Sequence, residues 1–290
     1  MVFQPRPTDN NIKARLALVT GASGGLGQAI SKTLAKDGLD IALHYSSSKE
    51  KAEVLQRELA SQYPNQSFTI HAADLASAES TATLVPSVLE AHKREAIDVL
   101  VNNAGLGMRL RNIEEISLEQ FELIHRVNTT SVFQITKEVV PLMKKKSWGR
   151  IVMISSISAH GGGLNGCHYA STKGAMTSMG LNLSTVLAPW NITVNIVSPA
   201  MVVSGMIPQP LPIPASESTT APAESTLVGV DSGNPALSGN AIDIAIRNKE
   251  DIGRAIASTM PLGRLGEPEE VADAVGFFVR NGFVTGVDLK

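Results

Sequence analysis

The chain has 290 residues, 43% hydrophobic and 18% charged, which fits one large domain or two small ones around a well-buried core. A formal net charge of −2 leaves no basic excess for a nucleic-acid partner. The single cysteine, Cys167, excludes an intrachain disulfide and fits a reducing compartment.

The opening segment, MVFQPRPTDNNIK, is polar and carries no apolar run of signal-peptide length; no later stretch is long and apolar enough to span a bilayer. A cytoplasmic protein without a membrane partner is therefore expected. ARLALVT (14–20) predicts a buried strand, followed by a helix from Gly25 to Lys36. DIALHY (40–45) predicts a second strand, with the charged helix KEKAEVLQRELASQ after it. SFTIHAA (67–73) is a third strand, and a helix runs on through Glu90. IDVLVNN (97–103) is a fourth, and two helical segments fill 117–146. GRIVMISS (149–156) is a fifth strand, 167–187 a helix, and NITVNIVS (191–198) a sixth strand. EPEEVADAVGFFV (267–279) predicts a late helix and FVTGVDL (283–289) a last short strand. Between them, 206–240 is rich in Pro, Ser, Thr and Gly and has neither period, so it is expected to be a long flexible insertion. Strands alternating with helices at this spacing predict an α/β fold: a doubly wound parallel sheet of about seven strands, with ligands outside the strands' C-terminal ends.

The first strand runs into TGASGGLG (20–27), whose glycines at 21, 25 and 27 open a helix. Such a turn presents backbone N–H groups and a helix N-terminus to a pyrophosphate. The same stretch satisfies G-x-S-x-G, the nucleophile elbow of α/β-hydrolases. That reading needs a later carboxylate and then a histidine, but His168 is the last histidine in the chain. An elbow on the first strand also comes too early, so the hydrolase is set aside.

In HYASTKGAM, Tyr169 and Lys173 stand at i and i+4, about 5–6 Å apart on one helix face. A phenol holds its proton to about pH 10, and a fixed ammonium beside it lowers that value. A tyrosine so tuned exchanges a proton with a carbonyl or an alcohol. The pattern also fits a half-buried tyrosine beside a solvated lysine, so the rest of the chain decides.

With these pieces together the sequence resembles the short-chain dehydrogenase/reductase family over nearly its whole length except 206–250 and the extreme C-terminus. The resemblance is carried by TGASGGLG (20–27), ADL (73–75), NNAG (102–105), Asn128 in RVN, ISS (154–156), YASTK (169–173), SPAMVVS (198–204) and PLGRLGEPEEVA (261–272). It implies a single Rossmann-type domain over 1–290. In that domain Tyr169 is the general acid, and Lys173 lowers its pKa and hydrogen-bonds the nicotinamide ribose. Ser156 would hold the substrate oxygen, Ser155 being the less favoured neighbour, and Asn128 would anchor a water linking Lys173 to solvent. Gly21, Ser23, Gly25, Leu26 and Gly27 would surround the pyrophosphate and adenosine, and Asp74 and Leu75 would contact adenine. Asn102, Ala104 and Gly105 would line the ribose side; Pro199, Val202 and Ser204 would approach the nicotinamide amide.

NADPH is expected over NADH. The second strand ends His44-Tyr45-Ser46-Ser47-Ser48-Lys49, with no carboxylate for a ribose 2′-hydroxyl. Ser46, Ser47 and Lys49 would receive a 2′-phosphate, although Gly24 stands where many NADPH enzymes of the family carry a basic residue. Ala200 replaces the family's usual glycine, and the insertion after Ser204 falls in its substrate lid. The chain ends at GVDLK, where relatives usually continue through V-D-G-G, so truncation or divergence is expected there. Cys167 and His168 are expected to line the substrate pocket or cap the Tyr169 helix, and no metal-ligand spacing is present.

HYSSS at the second strand and PLGRLGEPEEVA are most similar to 3-oxoacyl-carrier-protein reductases. The resemblance therefore implies an NADPH-dependent homodimer or homotetramer that reduces a 3-oxoacyl thioester or similar β-keto substrate to a secondary alcohol. The alternatives are a secondary-metabolite or cyclic ketone as substrate, a dinucleotide-binding module without turnover, and a non-redox enzyme on the same scaffold.

Overall fold

Short aliphatic runs set the architecture. In β1 (Leu16–Val19) all four side chains are buried, but alternately on opposite faces. Ala17 and Val19 join one core; Leu16 and Leu18 join the other. Such a strand needs helices on both faces, as in a parallel sheet. The computed structural model, which describes residues 9–161, 165–203, 252–258 and 260–290, has that form. The flexible insertion expected at 206–240, and Ser204 before it, lie outside the described residues.

The other strands are β2 (Asp40–Tyr45), β3 (Phe68–Ala72), β4 (Val99–Asn102), β5 (Gly149–Ile154), β6 (Ile192–Val197) and β7 (Asp288–Leu289). Their order is β3-β2-β1-β4-β5-β6-β7, and every pairing is parallel. The chain reverses its direction of travel across the sheet between β1 and β4, which opens a crevice at their C-terminal ends. One face carries α1 (Gly25–Lys36), α2 (Lys49–Gln62) and the late helix Pro268–Arg280, which meet Val19, Ile41 and Leu43. The other face carries α3 (Ala78–His92), α5 (Ser131–Lys146) and α6 (Cys167–Leu187), packed on Leu18, Leu100 and Met153.

Three local features differ from the sequence expectation. Helix α4 (Leu118–His125) is joined to α5 by a π-helical turn, Arg126–Thr130, a wider turn that often marks functional sites. A short helix α7 (Ile252–Ala257) precedes the late helix, now α8, and packs Ile256 and Ala257 against Met201 and Leu265. The last strand spans only Asp288–Leu289, because Gly286 takes a positive φ of 75° and interrupts the extension. Before it the segment docks on β6 through side chains: Asn195 Nδ2 donates to Val284 O, and Val194 N donates to Thr285 Oγ1.

The motif at 261–272 acts as a buttress. Arg264 makes a bidentate bond to Glu270 at 2.6 and 2.7 Å. Gly266 bonds Met201 O and Val203 N, fixing the chain just after β6.

Candidate active site

A cleft of about 630 Å³ lies over the C-terminal ends of β1, β2, β4, β5 and β6. Its floor is the turn after β1. Gly21 has φ +65°, and a Cβ there would lie 2.9 Å from Ala104 Cα, so only glycine fits. A Cβ on Gly27 would meet Gly21 O at 2.2 Å, which lets α1 start hard against the turn. Gly25, by contrast, has nothing within 4 Å of its missing Cβ, and the N-cap residue Gly24 gives α1 no side-chain cap. Open backbone at an uncapped helix N-terminus is what a pyrophosphate fills. The residues present therefore fit a dinucleotide.

The turn is held from two strands. Asn103 Nδ2 donates to Thr20 O at 2.8 Å and Gly21 O at 3.2 Å, while Thr20 Oγ1 accepts from Asn103 N and Ala104 N. From the other side, His44 Nδ1 accepts from Gly21 N at 2.9 Å. The sequence reading named none of these three as site residues. Thr20 and Asn103 fall within the TGASGGLG and NNAG motifs, whereas His44 is marked only as a polar residue near the end of an apolar run.

Gly21, Ser23, Gly25, Leu26, Gly27, Ser46, Ser47, Asp74, Leu75, Ala104, Gly105, Pro199 and Val202 all line the cleft, as do Tyr169, Lys173 and Ser156. Asn102 does not: it is fully buried, and its amide turns into the α5 layer, where Nδ2 donates to Thr136 Oγ1. Strand alternation puts Asn103, not Asn102, on the cleft. Ser48 is the N-cap of α2 but makes no side-chain capping bond, so its hydroxyl faces the cleft unspent. Lys49 lies outside the cleft lining and pairs with Glu53 at 3.5 Å. Cys167 is exposed and His168 fully buried; neither lines the cleft, and the N-cap of α6 is Gly166.

At the far end stand Tyr169, Lys173 and Ser156. The Lys173 ammonium is buried and donates to Ile154 O at 2.8 Å, with the Tyr169 ring centroid 5.7 Å away. Burial brings Lys173 down to about 8. Burial also raises the Tyr169 phenol above its ordinary value, against a hydrogen bond with Ser156 that lowers it. The lysine thus loses its charge before the tyrosine does, the reverse of the order in which a lysine would pull the phenol down. At neutral pH Tyr169 holds a proton and Lys173 a charge. That buried charge, beside the ring, favours a phenolate over the neutral phenol. The stabilisation acts once the proton begins to leave.

Asn128 is fully buried in the π-helical turn. Its Oδ1 accepts from Leu106 N at 2.7 Å, and its Nδ2 donates to Leu106 O and Thr172 Oγ1. The side chain therefore holds the loop after NNAG against α6. Among the described residues no cluster of three His, Cys, Asp or Glu side chains could hold a metal ion, and no helix is long and apolar enough to cross a membrane.

Comparison with known proteins agrees with this geometry. A family model described as short chain dehydrogenase matches residues 15–210. Nodulation protein G of Azospirillum brasilense is 30% identical, covering 95% of this chain and 96% of that protein. A 3-oxoacyl-[acyl-carrier-protein] reductase of Aquifex aeolicus is 29% identical, covering 95% of this chain and 94% of its own length. The crystal structure of L-sorbose reductase from Gluconobacter frateurii, solved with NADPH and L-sorbose, superposes with a TM-score of 0.77 at 23% identity. That alignment covers 97% of this chain and 96% of the other, and it shows a shared fold.

Proposed function

Since the chain belongs to the short-chain dehydrogenase family, and so is an oxidoreductase exchanging C=O and CH–OH with a nicotinamide dinucleotide, we propose that it uses NADPH to reduce a 3-oxoacyl thioester or a similar β-keto compound. The observation that carries the reaction type is the convergence of Ser156, Tyr169 and Lys173 at one end of a cleft whose other end is an open glycine turn. The similarity to a 3-oxoacyl-carrier-protein reductase favours the substrate class.

A bound dinucleotide supplies the hydride; the chain supplies position and the proton. The open backbone at Gly24 and Gly25 and the N-terminus of α1 would hold the pyrophosphate, and Asp74 and Leu75 would hold the adenine. Ser46, Ser47 and Ser48 line the cleft at the end of β2 with no carboxylate among them, and would receive the 2′-phosphate. Ser156 Oγ orients the substrate oxygen. Tyr169 donates its proton to that oxygen as the carbonyl carbon is reduced, and the Lys173 ammonium stabilises the phenolate left behind. The phenolate would regain its proton by way of Lys173, which is recharged from solvent through a water anchored at Asn128.

Exposed Phe133 on α5 and Leu181 and Val186 on α6 support self-association as a dimer or tetramer, which sedimentation equilibrium measures. The functional reading is tested by following NADPH absorbance with acetoacetyl-CoA as probe. Substrate-dependent oxidation, slower with NADH, is expected. No oxidation of either nucleotide across a panel of β-keto thioesters and simple ketones would overturn it.

A further inference from the structure

His44 is the fifth residue of β2 and only 1% exposed, yet it is polar and directly follows the buried Ile41, Ala42 and Leu43. Both ring nitrogens are used. Nδ1 accepts from Gly21 N at 2.9 Å, and Nε2 lies 3.1 Å from Ala73 O. A carbonyl only accepts, so Nε2 carries the ring proton and Nδ1 is the bare acceptor. Burial lowers the imidazole pKa and keeps this neutral form. The His44 main-chain oxygen accepts from Ala22 N at 2.8 Å, so one residue takes two successive N–H groups of the glycine turn.

The two ends of this bridge are the two sides of the cleft's nucleotide half. Gly21 opens the turn into α1, and Ala73 immediately precedes Asp74 and Leu75, which border the same cleft. Asn103 grips the carbonyls of Thr20 and Gly21 from β4, while His44 grips the amides from β2. Without His44 the part-buried Gly21 N–H would lose its acceptor. The turn would then relax toward some other acceptor.

We infer that His44 is a positioning residue for the dinucleotide: its imidazole ties the phosphate-binding turn at Gly21 to the adenine-binding strand end at Ala73. It lines the cleft on the side of the glycine turn, beside Gly21. The inference rests on the dinucleotide reading above.

The test compares His44→Leu, which keeps volume but removes both bonds, with His44→Asn, whose Oδ1 takes the place of Nδ1, and His44→Gln, whose amide takes the place of Nε2. NADPH binding is measured directly by the change in its fluorescence. Circular dichroism checks the fold, and steady-state kinetics follow with saturating and limiting NADPH. The leucine variant is expected to weaken NADPH binding by about tenfold or more, to raise KM for NADPH to match, and to keep kcat within about threefold at saturation. The asparagine variant should recover most of the affinity and the glutamine variant less. If the leucine variant does not fold, the asparagine–glutamine contrast carries the same decision. Unchanged affinity in a folded His44→Leu protein, or a glutamine variant that binds better than the asparagine one, overturns the assignment. Failure of the unmodified protein to bind NADPH or NADH is a separate result: it removes the dinucleotide reading, and His44's role with it.

Discussion

Lys173 and Tyr169 lie one helical turn apart on α6, yet the lysine ammonium points to the carbonyl of Ile154 at 2.8 Å and stands 5.7 Å from the centre of the Tyr169 ring. The pair is not a preformed ammonium–phenolate couple. It is a protonated acid with a buried charge held in reserve behind it.

This arrangement sets the pH dependence. Because burial brings Lys173 to about 8, its charge disappears as pH rises through that value. The profile of kcat/KM for ketone reduction should therefore fall above about pH 8, while Tyr169 still holds its proton. A Lys173→Met variant should lose activity by about a hundredfold or more and lose that limb as well. A flat profile from pH 7 to 10 would contradict the assignment.

The glycines of the turn separate folding from binding. Gly27→Ala drives a methyl into Gly21 O and should cost about 1–3 kcal/mol of stability, read as a lowered melting temperature. Gly25→Ala meets nothing and gains up to about 1 kcal/mol of helix propensity, so its melting temperature should hold or rise. The same methyl occupies the space proposed for the pyrophosphate, so titration calorimetry should show weakened NADPH binding.

The serines after β2 should decide nucleotide preference. Ser46→Asp places a carboxylate where the 2′-phosphate is proposed to sit. A repulsion of about 1.4 kcal/mol shifts the NADPH to NADH ratio of kcat/KM tenfold toward NADH. Lys49→Ala should change the ratio little, since that side chain faces Glu53 rather than the cleft.

The edge strand carries an acid-sensitive network. Thr69 Oγ1 lies 2.7 Å from Nε2 of both His71 and His92, and His71 Nδ1 lies 3.0 Å from Ser87 Oγ. Burial first, and then repulsion from His92, lower His71 to about 4. In the unfolded chain the imidazole takes its proton near its ordinary value of about 6.5. Stability should thus be full above about pH 6.5 and decline as pH falls toward 4, by about 1–2 kcal/mol after screening at the sheet edge. Urea midpoints between pH 7 and 4 measure it, and His71→Gln should reduce the dependence, leaving the part that His44 and His92, also lowered by burial, contribute.

The sheet, its helices and the meeting of Tyr169 and Lys173 at one end of the cleft were readable in the sequence because they rest on local patterns. Buried runs such as LALV, the glycine spacing at 21, 25 and 27 and the Tyr169–Lys173 interval each follow from one segment. What was not readable depends on register between segments. Whether Asn102 or Asn103 faces the cleft is set by where β4 pairs with β1, and His44 gains meaning only once β2 lies beside the turn after β1. The π-helical turn at Asn128 is not legible in RVNTT, because weak helix formers such as Val, Asn and Thr do not by themselves fix where a turn widens; the packing of Asn128 on Leu106 and Thr172 likewise depends on distant segments. The shortening of β7 turns on one positive φ at Gly286.

The most direct test of the central claim is the turnover of Tyr169→Phe, measured by NADPH oxidation with acetoacetyl-CoA at saturating nucleotide. Direct NADPH binding is measured on the same preparation. The proton-donor role predicts a loss in kcat of about a hundredfold or more, with the NADPH dissociation constant within about threefold of the unmodified protein. Turnover preserved in a variant that binds NADPH normally would contradict it.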